Sequence, residues 1–192
     1  MVGQPLPVRA PGVALTPPRA AGLPRPAVRW ALNLLAFQTG WFAIVLGAAH
    51  GLAWLGPVAV LAAVALHLGS TPRRWPELRL LTFALVLGLV LEHVLLYAGV
   101  VRYAGDPAWV PVWMLALWPL FATTLNVSLA WFKPRLGLAA LAGCVAGPLA
   151  YVGGAALGAI QLDTSALWIL ALGWALAFPL LLALARRAGE AS

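Results

Sequence analysis

Apolar residues run through most of the chain in long stretches that polar residues interrupt only briefly. A membrane-spanning helix needs about 20 mostly apolar residues. Six stretches reach or approach that length, at residues 30–50, 52–68, 80–101, 109–131, 136–160 and 165–185. The pattern therefore predicts an all-α protein, a polytopic bundle of six transmembrane helices spanning residues 30–185.

The second stretch, 52–68, is the weakest prediction because it is short and only Gly51 and Pro57 mark a turn before it. A five-span alternative would merge or drop it. Charge favours six spans, since all of the 12 Lys and Arg residues except Arg102 then fall on one side. Lys and Arg accumulate in cytoplasmic loops. Both termini are therefore expected in the cytoplasm, whereas five spans would place Arg186 and Arg187 outside.

Both ends of the chain are predicted to be cytoplasmic tails. Residues 1–29 hold four arginines and seven of the 16 prolines, and proline disfavours helices and sheet ladders. We expect a disordered, Pro/Arg-rich tail there and a short tail at 186–192. A proline motif that binds a partner is the alternative for the first tail.

Composition narrows the class of protein. The chain is 63% hydrophobic and 9% charged, too apolar for a soluble domain. Its net charge of +7 raises the question of nucleic acid, but the basic residues lie between apolar runs and set topology instead. The expected partner is the lipid bilayer, and no nucleic-acid partner is expected.

Small residues line one face of the fifth segment at spacings of three and four. They are Gly143, Gly147, Ala150, Gly154 and Gly158. Such stripes let membrane helices approach closely. We interpret this one as packing within the chain, with a homodimer face as the alternative. Pro148 in the same segment is expected to kink it.

Glu92 is the one acid deep inside a predicted span. A carboxylate there costs about 2.5–3.5 kcal/mol on insertion scales, so it should face the bundle interior and be protonated or held by donors. Candidate partners at similar depth are Gln38, Thr123, Thr124 and Tyr151. An interhelical hydrogen bond and a proton- or substrate-binding role both stay open.

His93 follows Glu92 but lies about 100° around the helix, below Tyr97 on another face. It either joins the polar cluster through a seam shared with a neighbouring helix or is a neutral histidine with its own hydrogen bonds, and we favour the second. The histidines do not converge, and there is no metal-binding, Walker or nucleophile-elbow motif. We therefore expect no metal and no cofactor. Catalytic residues stay unknown, and the sequence leans away from an enzyme.

Three strings carry a family resemblance: FQTGWFAIVLGAA from Phe37, WPLFATTLNVSLAW from Trp118 and GPLAYVGGAALGA from Gly147. On them the chain resembles the bacterial membrane family catalogued as domain of unknown function 2878, over about residues 30–185. The resemblance implies a multi-span inner-membrane protein without an established activity, and it favours an association with lipid modification.

Three classes of function follow. A non-catalytic accessory or structural component, of a lipid-modification pathway, is favoured because no catalytic motif is visible. A small proton-coupled transporter or lipid carrier would use Glu92. A membrane enzyme acting on lipid would use Glu92, His93 and Tyr151 as acid–base groups.

Overall fold

The structure, a computed structural model, describes the backbone of residues 26–190 and the side chains of residues 27–187. Within that range the chain forms six α-helices, which confirms the all-α class. They are α1 (Pro26–Ala49), α2 (Leu55–Ser70), α3 (Arg74–Tyr97), α4 (Val112–Ala122), α5 (Leu136–Ala156) and α6 (Ala166–Glu190). Two short strands, β1 (Val101–Tyr103) and β2 (Ile160–Leu162), and a 3₁₀ turn (Ala130–Phe132) lie between them.

Four of these helices, α1, α3, α5 and α6, are long and apolar enough to cross a membrane. Their outer faces carry large apolar side chains, such as Leu172 and Leu176 of α6, which are 70% and 74% exposed. Contiguous apolar surface of this kind is unfavourable in water and marks a surface that faces lipid. The chain is thus built as a membrane protein. Helices α2 and α4, of 16 and 11 residues, are shorter, and the count of six spans stays a prediction.

The fourth predicted span, 109–131, differs most from the structure. Its helix ends at Ala122, and residues 123–129 form a run of turns. The hydroxyls of Thr123 and Thr124 donate to the carbonyls of Leu120 and Phe121, at 2.7 and 2.6 Å. Hydroxyl side chains compete in this way with regular helical hydrogen bonding. Hydropathy alone did not reveal the break because the segment stays largely apolar.

Helix ends also differ from the predicted boundaries. α1 begins at Pro26, inside the segment expected to be a tail, since proline is tolerated in the first turn, where no helical acceptor faces its missing N–H. α6 runs on to Glu190 rather than ending near 185. The rest of the two predicted tails, residues 1–25 and 191–192, lies outside the described residues.

Helix packing arranges the bundle as two groups. α4 lies against α1, α2 and α3, whereas α5 packs mainly on α6, and α3 joins the groups through α6. The loops after α3 and α5 meet as well, because β1 and β2 pair antiparallel with Arg102 opposite Gln161. In both cases a glycine with positive φ lies two residues after the helix end and before the strand, Gly99 at 71° and Gly158 at 86°. Glycine adopts that conformation without strain and turns each chain into its strand.

Hydrogen bonds show which loops share an end of the bundle. At one end the paired strands lie near the end of α1, where Gly158 faces Ala49. At the other end the indole of Trp30 donates to the carbonyl of Ser128 at 3.0 Å, and Arg186 donates to the carbonyl of Lys133 at 3.4 Å. We call the first the strand end and the second the basic end.

Candidate functional site

Glu92 is completely buried, with 0% of its surface exposed. It lies on α3 five residues before the end at Tyr97, about 8 Å along the axis. The expected position was the middle of a span over 80–101. The helix begins earlier, at Arg74, and ends earlier, so Glu92 is closer to the strand end of the bundle.

Three donors from three other elements converge on the Glu92 carboxylate. The Tyr103 hydroxyl of β1 donates to Oε2 at 2.7 Å. The Trp118 indole of α4 donates to Oε1 at 3.1 Å, and the Tyr151 hydroxyl of α5 donates to the same oxygen through a short hydrogen bond. Burying a carboxyl group is costly unless its oxygens are hydrogen bonded, so all three contacts stabilise this arrangement. The cluster therefore ties α3, α4, α5 and β1 together.

The partners of Glu92 are uncharged. Among the described residues, no Lys or Arg hydrogen bonds to its carboxylate. Burial raises the pKa of Tyr103, and the negative charge of Glu92 and the hydrogen bond to it raise that pKa further. Tyr103 therefore stays protonated and keeps its role as donor.

Glycines let the two central tryptophans enter the bundle. A Cβ on Gly88 of α3 would lie 2.2 Å from Trp118, and one on Gly147 of α5 would lie 2.2 Å from Trp174. The two indole rings stack with centroids 5.2 Å apart and an angle of 11° between their planes. Any larger residue at either glycine would displace an indole, so these glycines hold Trp118 in place against Glu92.

A groove of about 840 Å³ opens beside this cluster. It is bordered by α1 and α5 and floored by α4, and its walls are almost entirely apolar and aromatic. Along α5 it runs from Ala142 to Ala156, about 21 Å of helix. Ligand sites occupy about 300–1,000 Å³ and combine apolar walls with a few polar groups. The groove has both properties, and its polar side chains include Glu92, Gln38 and Tyr151.

The groove opens sideways, toward the surface that lipid would cover. Phe42 of α1 and Leu149 of α5 line it and are 44% and 62% exposed. α1 packs on α2 and α4 while α5 packs on α6. The Trp41 ring of α1 reaches α5 at Gly153, where a Cβ would lie 3.2 Å from it, and the groove opens beside that contact. An apolar molecule in a bilayer could reach the groove through this opening without crossing water.

The structure separates the residues expected around Glu92. Tyr151 donates to its carboxylate, and Gln38 is exposed and lines the groove. Thr123 and Thr124 are buried in the turns after α4 and bond to their own backbone. His93 donates from Nδ1 to the carbonyl of Leu89 at 2.7 Å and contacts the rings of Tyr97 and Trp109.

The small residues of α5 have separate roles. A Cβ on Gly143 would lie 2.4 Å from the backbone oxygen of Trp174, so Gly143 and Gly147 are where α6 packs on α5 within the chain. Gly154 has ordinary room beside Ile160, at 3.5 Å. Gly158 lies beyond the helix in the left-handed region. Pro148 is buried, and α5 continues through it as one helix.

A second polar cluster, which the sequence did not indicate, lies at the basic end. Glu77 of α3 is 6% exposed and is hydrogen bonded to His67 Nε2 at 3.2 Å. The Asn126 amide donates to its other oxygen at 2.8 Å, and Lys133 donates to Asn126 through a short hydrogen bond. Burial lowers the pKa of Lys133, and the charge of Glu77 opposes that shift.

Beside it, α1 holds the turns that follow α4. Asn33 donates to the Thr123 carbonyl at 3.2 Å and accepts from Ser128 Oγ at 2.7 Å. Side chains of a neighbouring helix thus satisfy backbone groups that an unbroken helix would have paired, as membrane proteins require. A polar streak in an apolar segment was the available signal for this break.

Within residues 26–190 there is no group of three or more His, Cys, Asp or Glu residues placed to hold a metal ion. Nor does the groove carry the positive groups that a phosphate-bearing cofactor requires, because no Lys, Arg or His from these residues lines it. The arrangement suits an apolar or weakly polar ligand.

Comparison with known proteins gives one match. The sequence model of a family described as "Protein of unknown function (DUF2878)" covers residues 30–180. No curated protein and no solved structure matches the chain. The matched range includes every element that forms the groove and both polar clusters. The chain therefore belongs to the DUF2878 family of proteins of unknown function.

Proposed function

We propose that the groove binds one long hydrocarbon chain of a membrane lipid, and that the protein is a non-catalytic accessory component of lipid metabolism. The observation that carries this is the groove itself, about 840 Å³ of apolar and aromatic wall open between α1 and α5. One bilayer leaflet is about 15 Å thick in its hydrocarbon part. A groove of about 21 Å holds a single extended chain of that length.

The membrane arrangement belongs to the same proposal: six spans in a bacterial inner membrane, with both termini in the cytoplasm. The basic end supports it, because it gathers Lys133 and Arg186, while the strand end exposes Arg102 together with Asp106 and Asp163. In this arrangement α2 and the short α4 cross within the bundle, and the turns after α4 are covered by α1. Irregular backbone at that depth is tolerated when protein buries it.

The enzyme alternative has less support. A general acid or base must reach the proton that it transfers. The Glu92 carboxylate has no exposed surface and already accepts three hydrogen bonds. It is better placed to shape the groove than to react with a substrate.

Photocrosslinking tests chain binding. Full-length protein in phosphatidylcholine nanodiscs is irradiated with photoreactive stearyl alcohol, and labelled peptides are mapped. We expect labels on groove-facing residues of α1 and α5. Ala146→Phe fills the groove and should reduce labelling about tenfold, whereas Val145→Phe on the outer face of α5 should not change it. Labelling spread evenly over the lipid-facing helices, or equal in both variants, would overturn the proposal.

A proton-coupled carrier is the second candidate, and one observation favours it. Glu92 is a buried acid in the wall of the groove, and intramembrane acids commonly serve proton relays. The carrier predicts that movement of the bound lipid between leaflets follows a proton gradient in liposomes and stops in Glu92→Gln. Gradient-independent movement, unchanged in that variant, would leave only the binding function.

A further inference from the structure

Gln38 lies at the centre of α1, one of the helices that are long and apolar enough to cross a membrane. The apolar span of this helix runs over Ala27–Ala49, which places Gln38 about 16 Å from each end. The hydrocarbon core of a bilayer is about 30 Å thick, so in a membrane this amide lies near the middle of the core. Polar side chains at such a depth pair with a neighbouring helix or belong to a functional site.

The face of α1 that carries Gln38 is the one that borders the groove. Gln38, Trp41 and Val45 follow one another at spacings of three and four, and all three line the groove. Residues at these spacings share one face of a helix. From this face the Trp41 ring reaches α5 at Gly153. Gln38 is therefore on the side of α1 that faces α5 across the groove.

The Gln38 amide has no hydrogen-bond partner within residues 26–190, and its side chain is exposed. On the opposite wall the groove residues Leu149 and Ala150 are apolar. The acid of the groove offers nothing either, because both oxygens of Glu92 already accept hydrogen bonds from protein donors. A polar group in apolar surroundings is costly to leave unpaired. The partner of this amide is therefore expected to come from a molecule in the membrane.

The position of Gln38 along the groove determines where on a bound chain that partner lies. Helices α1 and α5 both run from the basic end to the strand end. From the contact of Trp41 with α5, Gln38 lies one turn earlier, at about the level of Ala150. Ala150 is about 12 Å from Ala142 and about 9 Å from Ala156, the two ends of the groove along α5. A chain that fills the groove has its middle carbons at Gln38.

We propose that the groove selects a lipid whose hydrocarbon chain carries a hydroxyl group near its middle, and that the Gln38 amide recognises this hydroxyl. The proposal rests on the proposed binding of a hydrocarbon chain. An amide has both donors and an acceptor, and so does a hydroxyl, so one such group pairs with both sides of the amide. A saturated chain leaves the amide unpaired, and a hydroxyl at the head of the chain lies about 9–12 Å away from it.

Competition against the photoreactive probe tests the hydroxyl separately from the chain. Methyl 12-hydroxystearate, methyl 2-hydroxystearate and methyl stearate share one chain and differ only in the hydroxyl, and each is dosed per bilayer lipid in the same nanodiscs. We expect the 12-hydroxy ester to compete about tenfold better than the other two, which should compete alike. Equal competition by all three, or the 2-hydroxy ester winning, overturns the hydroxyl proposal but leaves chain binding intact. Failure of the probe to label the groove overturns both.

Two neighbouring variants locate the preference. Gln38→Leu places an apolar side chain on an exposed, lipid-facing position, so it should fold, bind methyl stearate as the wild type does and lose the preference for the 12-hydroxy ester. Thr39→Val is the matched control, because Thr39 is exposed on the same helix but does not line the groove, and it should keep the preference. A preference that survives in Gln38→Leu, or that Thr39→Val removes as well, contradicts the proposal.

Discussion

Helix α3 carries a buried acid near each end, and the two acids are satisfied by different chemistry. Glu92 accepts from two tyrosine hydroxyls and an indole, all uncharged. Glu77, fifteen residues earlier and about 22 Å along the axis, meets an imidazole and an amide that also binds Lys133. One acid is held by neutral donors deep in the bundle, and the other belongs to a charged network beside the basic end.

The difference shows what depth does to the same residue. Near the basic end, Lys133 and a partly exposed His67 can approach water, so charges are available there to balance an acid. Around Glu92 the neighbouring elements supply only hydroxyl, indole and apolar groups. An acid without a counter-charge is tolerated in the bundle interior only when its polar atoms are hydrogen bonded, and fixed donors provide those bonds to Glu92.

Replacing each acid in turn should give the largest difference in stability between the two sites. Glu92→Leu leaves two hydroxyls and an indole buried without their acceptor, and we expect it to lower the free energy of unfolding by about 3–5 kcal/mol. Glu77→Leu frees groups that can reach water and should cost about 1–2 kcal/mol. Thermal unfolding in one detergent measures both. Equal losses of unfolding free energy in the two variants would show that the two networks are equally buried and would contradict the distinction between them.

Close packing of Trp118 is a feature of the Glu92 site alone. Gly88→Ala places a Cβ 2.2 Å from the indole, and we expect a loss of about 1–3 kcal/mol together with weaker labelling of the groove. Gly173→Ala on α6 is the matched control, because nothing lies within 4 Å of its Cβ. That variant should gain up to about 1 kcal/mol. If both substitutions change the melting temperature alike, Trp118 is not held by Gly88.

Alkaline pH should change the stability contributed by Tyr103 and by Lys133 in opposite directions. This is the smallest of the expected effects. The pKa of Tyr103 is raised by burial and by Glu92, so its contribution is complete below the unfolded pKa of about 10 and is lost as pH rises above it. The pKa of Lys133 is lowered by burial, so stability gains as pH rises toward about 10.4. Melting temperatures of the wild type, Tyr103→Phe and Lys133→Met between about pH 8 and pH 11 test this.

Each variant should remove only the part of the pH dependence of the melting temperature that its own side chain causes. Tyr103→Phe should flatten the loss of stability above about pH 10, and Lys133→Met should flatten the gain below it. Parallel pH curves for the wild type and Tyr103→Phe would mean that this hydroxyl titrates in the folded protein as it does in the unfolded one.

Local pattern predicted the parts of the site that depend on hydropathy and spacing. The all-α class followed from the apolar runs, and Glu92 stood out because acids are rare in such runs. Tyr151 was one of four side chains considered for it. Tyr103 could not be found, because its loop reaches Glu92 only through the pairing of β1 with β2. The end of α4 at Ala122 was missed because hydropathy averages over the hydroxyls that cause it.

The sequence by itself determined that this chain is made of apolar helices, which residues are charged, and that Glu92 lies within an apolar run. Those properties are local, since each depends on a residue and its neighbours along the chain. Only the tertiary structure decided that Glu92 meets Tyr103, Trp118 and Tyr151, that Glu77 joins a separate network, and that a groove opens between α1 and α5. These depend on which helices pack together, and in lipid that choice follows from the fit of small residues and the pairing of polar groups.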